Sequence, residues 1–276
     1  MRKFLKFVFY KIYTVASFFW LKLDRIASWG ETRHWIDNVP RAIFTPDIYV
    51  SYAGWMHNQG FFASLLSVFL KKPQPRILDF GCGMGNLAPV CHHFVKNGGS
   101  YLGVDLDEKQ IAPCLKTYGS LSNCNFYLTH DKNPFYTPDG ESTTSGIDWP
   151  VKDGSLDLVI AMSVFTHLQE RESIRYLDKI YETLAPDGLA MISFLIKRDY
   201  INPHFVYNFD HALTPGWFTS NPSCPEMAIG LTRDALQKLL ANRFEVLSHI
   251  EGSVTGGRHP SLQDIFVLRK LPGERA

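Results

Sequence analysis

The stretch Arg76 to Val90, RILDFGCGMGNLAPV, decides the reading of this chain. Ile77, Leu78 and Phe80 form a short apolar run of the kind buried on both faces of a parallel sheet. Gly81, Gly83 and Gly85 follow at alternate positions, where the backbone must turn sharply and where a ligand can approach the main chain. The pattern predicts a strand, a glycine turn and a helix from about Asn86, with free amide groups at the helix start facing whatever is bound.

A second predicted strand, Tyr101-Leu102-Gly103-Val104, ends in Asp105, and an acid at that point can accept from both hydroxyls of a ribose. Asp79 stands two residues before the first glycine of Gly81-Cys82-Gly83-Met84-Gly85. The pair of features, E/DxGxGxG and an acid closing the next strand, resembles the class I S-adenosylmethionine-dependent methyltransferases over roughly Pro46 to Lys270. That resemblance implies a doubly wound α/β fold: a seven-stranded Rossmann-like sheet of order 3-2-1-4-5-7-6 with an antiparallel edge, carrying an N-terminal helical extension and a lid insertion after strand 5. It implies S-adenosyl-L-methionine as cofactor and S-adenosyl-L-homocysteine as product, held by Asp79, Gly81, Cys82, Gly83, Gly85, Asp105, Leu106, Asp131 and Ser163. Asp131, after a predicted third strand Asn125 to Thr129, falls where the family holds the adenine amino group. An acid after a strand also serves as a turn residue or helix cap.

The segment Asp153 to Leu168, DGSLDLVIAMSVFTHL, gives a fourth strand over Leu156 to Met162. It is similar to the post-strand motif of a bacterial subgroup of these enzymes linked to sugar or cell-envelope modification. It departs from the (D/N)PP(Y/F) pattern of methyltransferases acting on nucleic-acid base amines and lacks the glutamates of metal-dependent relatives, so neither nucleic acid nor metal is expected. Composition agrees on the first point: 28 Lys and Arg against 27 Asp and Glu leave a net charge of +1, no field for a polyanion. The five cysteines have neither the even count nor the spacing of a disulfide or zinc framework and read as reduced, cytoplasmic thiols.

Working outward, residues 1–29 form a predicted amphipathic helix with six basic residues against one acid. Its uncharged run, Ile12 to Leu21, is about half of the ~20 residues a spanning helix needs. Such a helix lies in a membrane interface, at the inner face, or packs its apolar side on the catalytic domain. Residues 30–72 are a helical cap or connector, with a buried helix expected over Phe61 to Leu70. Its aromatics Tyr49, Tyr52 and Trp55, with His57, close over the cofactor or belong to the core. Residues 73–276 form the methyltransferase domain. Within it a helix at Glu108 to Tyr118 is expected to be interrupted by Pro113, and another spans Glu170 to Leu184 before a fifth strand, Leu189 to Leu195.

The segment 197–230, with Tyr200, His204, Phe205, Tyr207, Phe209, His211, Trp217 and Phe218, is too aromatic for disorder and leaves the sheet at its carboxyl edge. It is read as an acceptor-binding lid, or else as a self-packed lobe. A helix capped by Thr232 and strands near Phe244 to Ile250 and Asp264 to Arg269 complete the chain, their connection carrying His259. Methyl transfer needs the acceptor atom held in line with the methyl carbon, and a hydroxyl acceptor also needs a base. His167, His211 and His259 are the candidates, with His204 on the same insertion. The expected function is O-methylation of a saccharide or lipid-linked glycan. N-methylation of an amino sugar or small molecule, and a non-catalytic cofactor-binding regulator, are the alternatives.

Overall fold

The computed structural model describes residues 19–20, 22–23, 51–130, 149–198, 208–253 and 261–273. Asp131, His259, His204 and most of the N-terminal helix therefore lie outside the described residues, as do Tyr49, Tyr200, Phe205 and Tyr207.

Strands β1 (Arg76–Phe80), β2 (Ser100–Asp105), β3 (Cys124–Leu128), β4 (Leu156–Ala161) and β5 (Leu184–Ile196) form a parallel sheet of order β3-β2-β1-β4-β5. The crossovers are α2 (Ala88–Val95), α3 (Glu108–Tyr118) and α4 (Glu170–Thr183), while α1 (Tyr52–Phe69) precedes β1. Alternation in β1 shows why the sheet is covered on both sides. Ile77 packs with Phe62 and Leu66 of α1 and with Val90 and Cys91 of α2. Leu78 and Phe80 point the other way, to Tyr176, Leu177 and Ile180 of α4. Past β5 come β10 (Asp264–Lys270), antiparallel to it, and β9 (Phe244–Ile250), antiparallel to β10. The expected order 3-2-1-4-5-7-6 is thus present, and α5 (Arg233–Leu240) starts at Thr232, whose Oγ1 accepts from Ala235 N at 3.2 Å.

Three local expectations change. Helix α1 begins at Tyr52 rather than Phe61, because Ser51 Oγ accepts from Gly54 N and a stripe of Tyr52, Trp55, Gln59, Phe62 and Leu66 is buried at helical spacing. Helix α3 runs unbroken through Pro113. The amide that Pro113 lacks would have bonded the carbonyl of Lys109, an exposed residue on the solvent side of the helix, where the loss costs least. The described part of the insertion after β5, residues 208–230, forms a meander with β6 (His211–Thr214), β7 (Trp217–Thr219) and β8 (Ile229–Leu231), with β8 joined in parallel to Leu195 and Ile196 at the end of β5. Phe209 and Trp217 are fully buried there, and the Phe209 ring lies flat enough on Gly230 that a Cβ would come within 2.7 Å of it. These two aromatics are the lobe's own core and present no ring to a ligand.

Candidate active site

The carboxyl edge of β1, β2 and β4 holds the glycine turn. Gly81, Gly83 and Gly85 have φ of +72°, +54° and +75°, and a side chain at two of them is blocked. A Cβ on Gly81 would sit 2.4 Å from Val164 Cγ2, and one on Gly85 would sit 2.8 Å from the Tyr118 ring. At Gly83 a Cβ would meet nothing nearer than Gln110 Oε1 at 3.9 Å, so the turn is open on that side.

Four amides of the turn itself are already engaged within the fold. Gly81 N and Cys82 N both donate to Val104 O (2.8 and 3.1 Å), Gly83 N donates to Asp105 Oδ2 (2.8 Å), and Gly85 N donates to Cys82 O (3.0 Å). Helix α2 then starts at Ala88 rather than Asn86. The reason is the acid at the end of β2: it is the strongest acceptor within reach, and the turn curls onto it.

Asp105 also accepts from Asp107 N at 3.0 Å. Burial pushes its pKa up, while the amides of Asp107, Gly83 and Leu106 pull it down, with a net rise. Two of the carboxylate's roughly four lone-pair directions are taken, which leaves two for the hydroxyls of a ribose. Asp79 lies beneath the turn, 2% exposed, and accepts from Tyr101 OH at 2.7 Å. Burial lifts its pKa to about 7, Tyr101 opposes the rise and the charge of Asp105 adds to it. Cys82 is buried against Gly103, and Cys114 Sγ donates to Gly83 O at 3.2 Å. Both thiols pack the underside of the turn. From outside, Trp55 Nε1 donates to Asn86 Oδ1 (3.1 Å) and Gln59 Nε2 to Asn86 O (2.8 Å), so α1 clamps the residue after the last glycine. His57, by contrast, is exposed.

The segment after β4 closes the other side, since Val164 touches Gly81. Ser163 before it adopts φ +59°, an uncommon conformation for a residue with a side chain. The 3-10 turn Phe165–His167 follows. His167 Nδ1 lies 2.7 Å from Glu226 O; a carbonyl only accepts, so Nδ1 carries the proton and the lone pair is on Nε2. Gln169 Nε2 donates to Glu226 Oε1, which fastens the 3-10 turn Pro225–Met227 of the insertion onto this segment. Burial lowers the pKa of His167, partly offset by the bond to Glu226.

Asp105, Leu106, the three glycines and Ser163 thus share one edge, with His167 just beyond. His211 does not join them. It is exposed on β6, the outermost strand of the lobe and three strands out from β5, on the order of 14 Å at sheet spacing. Sequence reasoning missed Ser193, Gln263 and the group around Asp264. Asp264 is fully buried, and its Oδ1 lies 2.8 Å from His249 Nε2 and 2.5 Å from Arg198 Nη2. Among the described residues no cluster of His, Cys, Asp and Glu is arranged to hold a metal, and no helix is long and apolar enough to cross a membrane.

A parallel sheet with a glycine turn after β1 and an acid closing β2 defines an α/β enzyme that binds a nucleoside-bearing cofactor at its carboxyl edge. Residues 52–255 match the family model described as a methyltransferase domain, and the chain belongs to that family. It is an S-adenosylmethionine-dependent methyltransferase. Among solved structures, protein PH0226 from Pyrococcus horikoshii shares 16% identity over 79% of this chain and 92% of that one, with a TM-score of 0.55. The [4+2]-cyclase SpnF shares 17% over 77% and 82%, with a TM-score of 0.52. A SAM-dependent methyltransferase from Aquifex aeolicus shares 15% over 76% and 88%, with a TM-score of 0.48. The first two likenesses show the fold; that a cyclase shares it is a reminder that reaction is read from the site.

Proposed function

We propose that the enzyme methylates a hydroxyl oxygen of a saccharide or lipid-linked glycan, with His167 as the base. One observation carries the choice of oxygen: His167 is kept neutral by burial, with its proton fixed on Nδ1 by Glu226 O, in the segment that borders the glycine turn. A neutral imidazole with its lone pair on Nε2 accepts the proton a hydroxyl loses on attack. Bound S-adenosylmethionine supplies an electrophilic methyl, whose bond to sulfur breaks as the oxygen–carbon bond forms. Asp105 and the open side of Gly83 fit its ribose and the chain beyond it. The similarity of Ser163-Val164-Phe165-Thr166-His167-Leu168 to sugar-modifying and envelope-modifying relatives supports the saccharide class.

A membrane-linked acceptor is favoured by the described part of the N-terminal helix. Phe19, Trp20 and Leu23 are 62%, 57% and 61% exposed, so these apolar residues are not buried against the domain. With six basic residues in the first 29, that helix suits an anionic inner membrane face.

The test is transfer of labelled methyl into a glycan fraction of the cell envelope. The label is expected as a methyl ether, and His167→Gln is expected to lower kcat about 100-fold or more while S-adenosylhomocysteine affinity holds. The acid limb of the wild-type profile should lie below pH ~6.5, because burial lowers the His167 pKa. Label recovered on nitrogen, or a His167→Gln variant of full activity, would overturn the reading.

A further inference from the structure

Ser193 is the one hydroxyl in the apolar run Ala190–Ile196, and it is 1% exposed. Its Oγ accepts from Ser163 N at 2.8 Å and donates to Gln263 Oε1 at 2.6 Å. Gln263 Nε2 in turn donates to Ser163 Oγ at 2.8 Å. The three residues close a ring across the ends of β4, β5 and β10. The orientation of the Gln263 amide follows from burial. Flipped, it would leave the hydrogen of the buried Ser193 hydroxyl without an acceptor, at a cost of about 1–3 kcal/mol.

The ring is firmly built. Gly252 lets residues 262–264 pass so closely that a Cβ would lie 2.4 Å from Gln263 C. Ser253 N and Oγ both donate to Ser261 O (2.8 and 3.1 Å), and Ser261 Oγ donates to Gln263 O (2.8 Å). Gln263 is thereby held from its own backbone, and Ser193 holds Ser163 in its left-handed conformation. Ser163 is exposed and adjoins Val164, which touches the glycine turn at Gly81.

Two hydrogens of the ring have no partner among the described residues: that of the Ser163 hydroxyl and the second one on Gln263 Nε2. Both are donors. We infer that this ring is the docking point for the methyl acceptor, and that its two unspent hydrogens grip an oxygen next to the reacting hydroxyl. The inference rests on the methyltransferase reading and narrows its acceptor to polyhydroxylated molecules held by donation from the protein. With an oxygen held by Ser163 and Gln263, the neighbouring hydroxyl keeps its lone pair for attack and its proton for the base.

The protein loaded with S-adenosylhomocysteine is titrated with methyl α-mannopyranoside, binding being read by saturation-transfer NMR, and with the cationic methyl glycoside of glucosamine as counter-probe. The wild type is expected to bind the first more tightly than the second, whose ammonium cannot accept from the two hydrogens. Ser163→Gly removes the hydroxyl and suits the positive φ, so the fold is not at stake. Gln263→Glu replaces the donor by a charge. Both variants should weaken binding of the neutral glycoside tenfold or more, and Gln263→Glu should gain affinity for the amino glycoside. Failure of the wild type to bind the neutral glycoside, or equal binding by wild type and both variants, would overturn the inference. Calorimetry of S-adenosylhomocysteine on the wild type and Gln263→Glu reports on the methyltransferase reading separately, since affinity for it should be the same in both.

Discussion

Replacing Asp79 by Asn tests the electrostatics beneath the glycine turn. The carboxyl is buried under the turn with one donor, Tyr101 OH, and Asp105 on the neighbouring strand. Its pKa rises from 3.8 to about 7, first through burial. An acid whose folded pKa exceeds its unfolded value contributes stability that is complete below about pH 3.8 and lost as pH climbs through about 7. A shift of roughly 3 units corresponds to about 4 kcal/mol at most, of which about 2.5 kcal/mol falls between pH 5 and pH 8. Asn keeps an oxygen for Tyr101 and never ionises. Its buried amide carries a penalty of its own, but one that does not vary with pH. The quantity to measure is therefore the difference in unfolding free energy between variant and wild type, by urea denaturation at pH 5, 6, 7 and 8. It should move in favour of Asn by about 2.5 kcal/mol across that range. A difference independent of pH would mean that Asp79 titrates as an ordinary carboxyl, and the account of the turn's underside would fall.

Gly83→Ala should fold at a cost of about 1–2 kcal/mol from its left-handed φ, yet lose S-adenosylhomocysteine affinity tenfold or more, because the added methyl fills the turn's open side. Unchanged affinity in calorimetry would place the cofactor elsewhere. Gly81→Ala, driven against Val164, should instead lower the melting temperature strongly, and a melting curve like that of wild type would refute the contact. Full-length protein should sediment with phosphatidylglycerol vesicles at low ionic strength, at about 1 kcal/mol per basic residue, and be released as salt rises. Deletion of residues 1–29 should abolish this without lowering the melting temperature. A deletion variant that melts early would mean that the helix belongs to the domain.

What the sequence disclosed follows from how local each signal is. The apolar run of β1, the alternate glycines and Asp105 lie within thirty residues of one another, and each has a steric or hydrogen-bonding reason that holds wherever the strand sits. The fate of the amides was hidden because it depends on competition. Gly83 N turns to Asp105 Oδ2, a choice settled only when β1 and β2 pair in register. The start of α1 was obscured by Gly54, Gly60 and the polar Gln59, which break the look of a buried stripe although Gln59 spends its amide on Asn86. Strands as short as Trp217–Thr219 have too few residues for an alternation to register, so the insertion read as a lid or lobe without assigned strands.

The polar ring had one sequence signal, and it was Ser193 in AMISFLI. A lone hydroxyl in a strand otherwise buried on both faces must find partners, and inside the sheet the adjacent backbone is already paired. Such a hydroxyl therefore points to side chains or loop amides beyond the strand ends. Here they are Ser163 and Gln263, separated by 100 residues and brought together only by the strand order β4-β5-β10. The strained φ of Ser163 has the same origin, because the amide it turns toward Ser193 is the one that a regular continuation of β4 would carry elsewhere. On this reasoning the strain, the buried hydroxyl and the donor face are one feature, and Ser193→Ala should release Ser163 and remove the docking face together.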